Sequence, residues 1–252
     1  ILEPIFEPTF IFDSYATRKS KGTHKAINRF QKYARLNQYV LKCDVQKYFP
    51  SIDHDILFQL IKRKISCRKT LQLIKTIIDT SRDDSNSNDQ YSLFGVDGIP
   101  IGNLTSQFFA NIYLNGFDHF VKETLRCKCY LRYMDDFVVF HHDKKILWQM
   151  KQAIQAFLKD SLKLQLHENK CRVFKTNYGV PFLGLVIFPD KKRIKRQNIV
   201  RFKRRLRRFQ KLYQLKKVSW AHVNQSIKSW IAYAGHANSW NLRSLVLWDH
   251  PI

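Results

Sequence analysis

Asp135 and Asp136 stand side by side in "CYLRYMDDFVVFHH" (129–142), between two runs of apolar, β-branched and aromatic residues that read as strands. The pattern predicts a hairpin with its turn at Asp135-Asp136. Two unit charges about 4 Å apart repel by roughly 4 kcal/mol at a near-surface dielectric. An isolated pair of this kind tends to keep a proton on one member. A divalent cation removes the conflict. A third carboxylate, Asp44, closes the apolar run "QYVLKCDV" (38–45). Nucleotidyl transfer uses two divalent ions about 3.5–4 Å apart, one at the attacking hydroxyl and one at the leaving group. Mg²⁺ prefers hard oxygen ligands and keeps several waters, so a few carboxylates from different elements suffice. Singly, an Asp ending a strand reads as a cap and a double Asp as a solvated turn. If the strands neighbour each other in one sheet, the three acids converge.

Such a centre needs a polyanion to act on, and the charge balance supplies the motive. The 252 residues carry 44 Lys+Arg against 20 Asp+Glu, a formal net charge of +24. That excess points to nucleic acid or an anionic membrane surface. No apolar run approaches the roughly 20 residues of a membrane span, and nothing at the start reads as a signal peptide, which leaves nucleic acid. An apolar fraction of 44% with 19 Phe, 11 Tyr and 5 Trp excludes a disordered chain. The five cysteines, Cys43, Cys67, Cys127, Cys129 and Cys171, show no framework spacing and suit a reducing cytoplasm. Cys127 and Cys129 lack a second pair to make a zinc site. The chain opens at Ile1 in what reads as mid-domain, so further sequence in front is expected.

Strands alternate with helices over the first three quarters, which predicts an α+β domain with a mixed or antiparallel sheet. After Asp44 comes "SIDHDILFQLIKRKI", with Ser51 as the expected N-cap and Ile52, Ile56 and Leu60 on one helical face. Residues 81–92 read as a polar loop. "GIPIGNLTSQFFANIYL" leads through a Gly/Pro turn into a helix from about Leu104, and "VPFLGLVIF" (180–188) reads as a buried strand. From 191 to 248 there is no acidic residue, while Lys and Arg number 16. The composition therefore breaks near Pro189-Asp190, giving domains at 1–190 and 191–252. In the second, Ile199, Phe202, Leu206, Phe209 and Tyr213 repeat at helical spacing. After Ser219, an N-cap, so do Trp220, Val223, Ile227, Trp230 and Ala234. Helix surfaces normally mix signs; a single sign over this length points to phosphate contact.

"YMDD" (133–136) between apolar strands resembles the catalytic hairpin of reverse transcriptases, and "CDVQKYFPSID" (43–53) resembles their other metal-binding motif. The resemblance implies a right-hand polymerase fold, with fingers and palm followed by a basic helical thumb. It implies that Asp44, Asp135, Asp136 and the Val45 backbone hold two Mg²⁺ ions, with Mn²⁺ as a substitute. Phe49 then guards the sugar, and Lys170 in "HENKCRVF" approaches the leaving phosphates. "SYATRKSKGTHKAI" (14–27) is similar to the fingers motif, so Arg18, Lys19 and Lys21 are implied to hold a triphosphate. Ile101, Gly102 and Gln107 fall in the turn and helix beside the nascent pair. Tyr133, Met134, the "FLG" hairpin (Phe182, Leu183, Gly184) and Arg201, Arg204, Arg205 and Arg208 are implied to meet primer and template.

Within that family, "IPIGNLTSQ" (99–107) has Ile101 where a Gln is usual and Ser106-Gln107 where intron enzymes tend to show Ser-Pro. This form resembles the enzymes of diversity-generating retroelements, as does "SYATRKSKGTH". The resemblance implies cDNA synthesis from a template RNA with errors at adenines, deoxynucleoside triphosphates as substrates, an RNA/cDNA hybrid as product, and a small basic helical accessory oligomer as partner. Ile offers only apolar contact where Gln can hydrogen-bond the nascent pair; the alternative is that Ile101 simply packs a turn. Two rivals stand beside this one: another bacterial reverse transcriptase of the phage-defence, retron or intron kind, and a catalytically silent RNA-binding module on the same fold.

Overall fold

A computed structural model describes residues 2–83, 98–99 and 104–248. Ile101, Gly102 and residues 84–92 of the expected loop lie outside the described residues, and 81–83, expected in that loop, are instead helical. By their internal contacts the residues form two compact units, one of 1–29 with 37–174, the other of 30–36 with 175–252.

The first unit contains α1 (Leu2–Phe6), the first half of α2 (Thr23–Leu36), then β1 (Tyr39–Asp44), α3 (His54–Lys62), α4 (Arg68–Asp83), α5 (Leu104–Tyr113), α6 (Asn115–His119), β2 (Tyr130–Tyr133), β3 (Asp136–His141), α7 (Lys144–Leu162) and β4 (Arg172–Lys175). The strands form one sheet in the order β2-β3-β1-β4, with β1 and β2 both antiparallel to β3. Four successive residues of β3, Phe137, Val138, Val139 and Phe140, are buried, as are Val40, Leu41 and Cys43 of β1. Both faces of the central strands are therefore covered, which is why they read as continuous apolar runs rather than alternating ones. Helix α7 packs on β1 and β3, and α3 on α4 and α5.

Three expectations are corrected here. The hairpin turn is Met134-Asp135, because Tyr133 pairs with Asp136 and Asp136 is already the first residue of β3. Met134 takes a left-handed φ of 57° there, the conformation that a two-residue hairpin demands. The N-cap of α3 is Asp53, whose carboxylate accepts from the Ile56 amide at 2.9 Å. Ser51 instead ends a 3₁₀ turn, Phe49–Ser51, that Pro50 initiates. Finally, Cys43 and Cys171, 128 residues apart, are joined as a disulfide, with Cα atoms 4.2 Å apart. No spacing rule pairs them; the adjacency of β1 and β4 does.

The second unit takes the last turns of α2, a three-stranded antiparallel sheet of β5 (Val180–Phe182), β6 (Leu185–Ile187) and β7 (Lys192–Ile194), and the helices α8 (Arg196–Gln214), α9 (Trp220–Gly235) and α10 (Trp240–Trp248). The single strand expected at 180–188 is thus a hairpin. Its turn, Leu183-Gly184, has φ of 43° and 86°, and the second of these is glycine's territory. Phe182 stacks on Phe30 with ring centroids 5.0 Å apart, and Phe202 on Trp230 at 4.1 Å. Ser219 caps α9 by accepting from the His222 amide at 3.3 Å. Compositionally the chain breaks near 190, whereas by contact the β5–β7 sheet groups with the helices that follow it.

Candidate active site

Asp44 and Asp136 are Cα partners across the antiparallel β1–β3 pair, and Asp135 occupies the adjoining turn. Facing residues of such a pair have Cα atoms about 4.5–5.5 Å apart. The Asp135 carbonyl accepts from the Val45 amide at 3.3 Å, tying the turn to the strand end. Three carboxylates from two distant stretches of sequence thus share one corner of the sheet.

Their electrostatics follow from this crowding. Burial pushes the Asp136 carboxyl up to about 6; Lys42 opposes the rise, while Asp44 and Asp135 add to it. Burial raises Asp135 as well, with Asp44 repelling it and Lys170 and Lys42 pulling the other way. Two lysines offset the negative charge. Lys170 Nζ donates to Asp44 Oδ1 and Lys42 Nζ to Asp136 Oδ2, both at 2.9 Å. The other oxygen of Asp136, Oδ1, is buried with no hydrogen-bond partner. Each outer carboxylate is held by its own lysine, and among the described residues no three His, Cys, Asp or Glu side chains are gathered tightly enough to enclose an ion. In donor type and backbone placement the site nonetheless fits a hard divalent cation: all its ligand atoms are oxygens, one is unpartnered, and two ammonium groups offset a charge that an ion could take over.

The segment carrying Lys170 lies beside Asp44. The His167 amide donates to the Asp44 carbonyl at 2.8 Å, and Gln46 to the Gln165 carbonyl at 2.8 Å. Phe49, half-buried, starts the 3₁₀ turn that leads away from Asp44, and its carbonyl accepts from the Ile99 amide at 3.0 Å. A Cβ on Gly98 would lie 2.3 Å from Pro50 Cα, so only glycine permits this approach. Gly98 and Ile99 therefore lie against Phe49 and Pro50.

The 14–27 segment meets the same corner from the other side. Ser14 bridges to Arg132 on β2, and the Tyr133 hydroxyl hydrogen-bonds Thr23 at 3.0 Å. Thr17 donates to Gln107 at 3.0 Å, joining this segment to α5. Lys19 is exposed. Lys21 Nζ sits 3.4 Å from the Phe12 ring centroid and donates to the Phe12 carbonyl. Arg18 departs from expectation: its side chain is buried and bonds Glu7 and the Ile11 and Ser14 carbonyls. A guanidinium so committed offers no open fork to a phosphate.

In the second unit, Phe182 is core, and the Gly184 carbonyl accepts from the Tyr233 hydroxyl at 2.7 Å and Asn198 at 3.3 Å. Arg201, Arg204, Arg205 and Arg208 are exposed along one side of α8, at the three- and four-residue spacing that aligns side chains on a helix.

Sequence reasoning missed Lys42 and the pair Arg132–Asp118. Lys42 stands two residues before Asp44 in an apolar strand, hence on the same face, and that spacing was the signal. Arg132 lay in the middle of a strand that reads as core, and a buried guanidinium demands a partner.

Residues 1–187 match the family described as reverse transcriptase (RNA-dependent DNA polymerase). Among curated proteins the chain is similar to Protein YkfC of Escherichia coli, with 26% identity over 222 residues, 73% of this chain and 57% of that one. It is also similar to the group II intron-encoded protein LtrA of Lactococcus lactis subsp. cremoris, with 24% identity over 73% of this chain and 40% of LtrA. The chain thus spans about half the length of these relatives, 57% and 40%. Among solved structures it resembles telomerase from Candida tropicalis (TM-score 0.54, 17% identity, 73% of this chain and 41% of that one). It also resembles telomerase from Candida albicans (TM-score 0.52, 12% identity, 80% and 40%). At such identities these likenesses concern the fold alone.

Proposed function

We propose a function from one premise: the chain belongs to the reverse transcriptase family. On it, the protein is an RNA-directed DNA polymerase that makes cDNA from a template RNA, consuming deoxynucleoside triphosphates. The observation that carries this is the pairing of Asp44 with Asp136 across the sheet, with Asp135 in the adjoining turn. Asp44 and Asp135 are the proposed ion ligands, Asp136 a ligand or electrostatic support. Bound Mg²⁺ would activate a primer hydroxyl and neutralise the departing pyrophosphate. The chain's own groups orient the partners. Lys170, which donates to Asp44, would meet phosphate oxygens once an ion takes over that carboxylate. The arginine stripe of α8, in a thumb, meets the backbone of the template–primer hybrid, a contact by charge and shape that suits RNA duplexes. Primer extension on an RNA template with Mg²⁺ tests the assignment. Templated elongation is expected; retention of the RNA with no nucleotide added would reassign the chain as a binding module.

Phe49 is the proposed steric gate against the ribose 2′-hydroxyl. Truncating it, Phe49→Ala, should admit ribonucleotides, lowering the preference for deoxynucleotides by about tenfold or more, since one apolar contact is worth roughly 1–3 kcal/mol. Steady-state incorporation of each nucleotide measures it, and an unchanged preference removes the gate.

At finer grain, the enzyme is proposed to serve a diversity-generating retroelement, with a small basic helical oligomer as accessory partner. Ile101 in place of the usual Gln supports this. Ile101→Gln is expected to lower misincorporation opposite template adenines specifically, as read by sequencing the cDNA; an unaltered adenine error spectrum opposes it. An intron-type enzyme is the second reading, favoured by the likeness to LtrA.

A further inference from the structure

The largest fully buried side chain among the described residues is a charged one, Arg132. It lies on β2, two residues before the Met134-Asp135 turn. A guanidinium has five N–H donors, and the structure accounts for all of them. Nε and Nη2 fork onto the two oxygens of Asp118 at 2.8 and 2.7 Å. Nη2 also donates to Ser14 Oγ at 3.3 Å, and Nη1 to Asn111 Oδ1 at 3.1 Å. The remaining donation, from Nη1, goes to the backbone carbonyl of Met134 at 3.0 Å.

That last bond distinguishes the arginine from an ordinary buried pair. Met134 is the left-handed turn residue, and its carbonyl belongs to the peptide that continues into Asp135. Fixing this carbonyl fixes the peptide plane, and with it the direction in which the chain enters the two aspartates. Asp118, fully buried on α6, orients the fork and is itself held by the Tyr130 hydroxyl at 2.6 Å. A non-glycine residue in the left-handed region costs energy and persists where its surroundings over-determine it. Here the surroundings are an arginine whose every donor is spoken for.

We infer that Arg132, oriented by Asp118, is a positioning residue that sets the Met134-Asp135 turn and so the placement of the carboxylates that take up the divalent ion. This rests on the metal-site part of the proposed function. In variants that keep the buried cluster charge-balanced, it predicts weakened ion uptake in a chain that still folds.

The test compares the intact chain with two variants. In Arg132→Met/Asp118→Leu/Tyr130→Phe the buried charges are replaced by apolar groups of similar size, a change that often leaves stability intact or improves it. Arg132→Lys keeps the positive charge beside Asp118 but loses the planar fork. Mn²⁺ binding is read by electron paramagnetic resonance, and nucleotide addition by kcat and KM, at matched folded fraction. Loss of a group that orients a metal ligand typically costs 10–100-fold in affinity or activity, so about tenfold weaker Mn²⁺ binding is expected. A kcat reduced by about the same factor should accompany it, with the KM for primer–template within about twofold. Wild-type Mn²⁺ affinity in either folded variant overturns the inference, as does failure of both to fold, which would make the cluster purely structural. Should the wild-type chain bind Mn²⁺ yet add no nucleotide, the polymerase assignment falls while the Mn²⁺ comparison still decides this one.

Discussion

Asp44→Asn should abolish nucleotide addition while leaving the protein as stable as before. An ion's stabilisation of developing charge is worth several kcal/mol, and each 1.36 kcal/mol is tenfold in rate, so losing a proposed ion ligand implies a fall of roughly 10³-fold or more. The cost to folding is small for two reasons. The ion pair that the substitution breaks, with Lys170, is open to solvent on its lysine side, which retains 54% of its accessibility against 17% for Asp44. Such pairs contribute about 0–1 kcal/mol. The lost carboxylate also repels both Asp135 and Asp136, so its removal relieves that repulsion. Melting followed with and without Mg²⁺ separates these effects. An ion that binds only the folded state stabilises it in proportion to RT ln(1 + [L]/Kd). The wild type should therefore melt higher with Mg²⁺, and the variant should not. Residual extension within about tenfold of wild type would remove Asp44 from the site, since no ligand of a polymerising centre is worth so little.

How much of this was legible beforehand depended on range. Apolar runs ending in Asp44 and flanking Asp135-Asp136 predicted strands and a hairpin, because β-branched and aromatic runs have few other uses. Their adjacency was an inference from chemistry, and the β1–β3 register now gives it a geometry. Local details failed where a neighbour outbid a propensity. Ser51 is a good N-cap type, yet Pro50 diverts the chain into a 3₁₀ turn and hands the cap to Asp53. "VPFLGLVIF" satisfies the strand pattern throughout, but two left-handed residues at 183 and 184 fold it back on itself. Arg18 looked like a clamp by sequence context alone; Glu7, eleven residues earlier, claims it. Least legible of all were contacts between distant segments, such as Cys43 with Cys171 and Arg132 with Asp118. No periodicity encodes these.

The pair Arg132–Asp118 makes the second large expectation, one of stability. Asp118→Asn is close to isosteric, so no cavity opens and no contact area is lost. What changes is charge. Both side chains are wholly buried, and the arginine cannot shed its proton: burial alone would lower its affinity for one, but Asp118 beside it raises that affinity beyond the ordinary range. Removing the anion leaves an uncompensated cation in a medium that solvates it poorly, which costs about 3–5 kcal/mol. The asparagine also turns an N–H₂ toward a guanidinium that has only donors to offer, so at least one of the bonds at 2.7 and 2.8 Å is lost outright. For a domain of this size each 1 kcal/mol moves Tm by roughly 2–4 °C, giving a drop of about 6–20 °C. Asp190→Asn is the matched comparison, because its partner Lys191 and the carboxylate itself are both exposed. The same chemical change there should leave the melting curve where it was. If circular dichroism finds the two variants melting together, Asp118 does not compensate a buried cation and the charge argument is wrong.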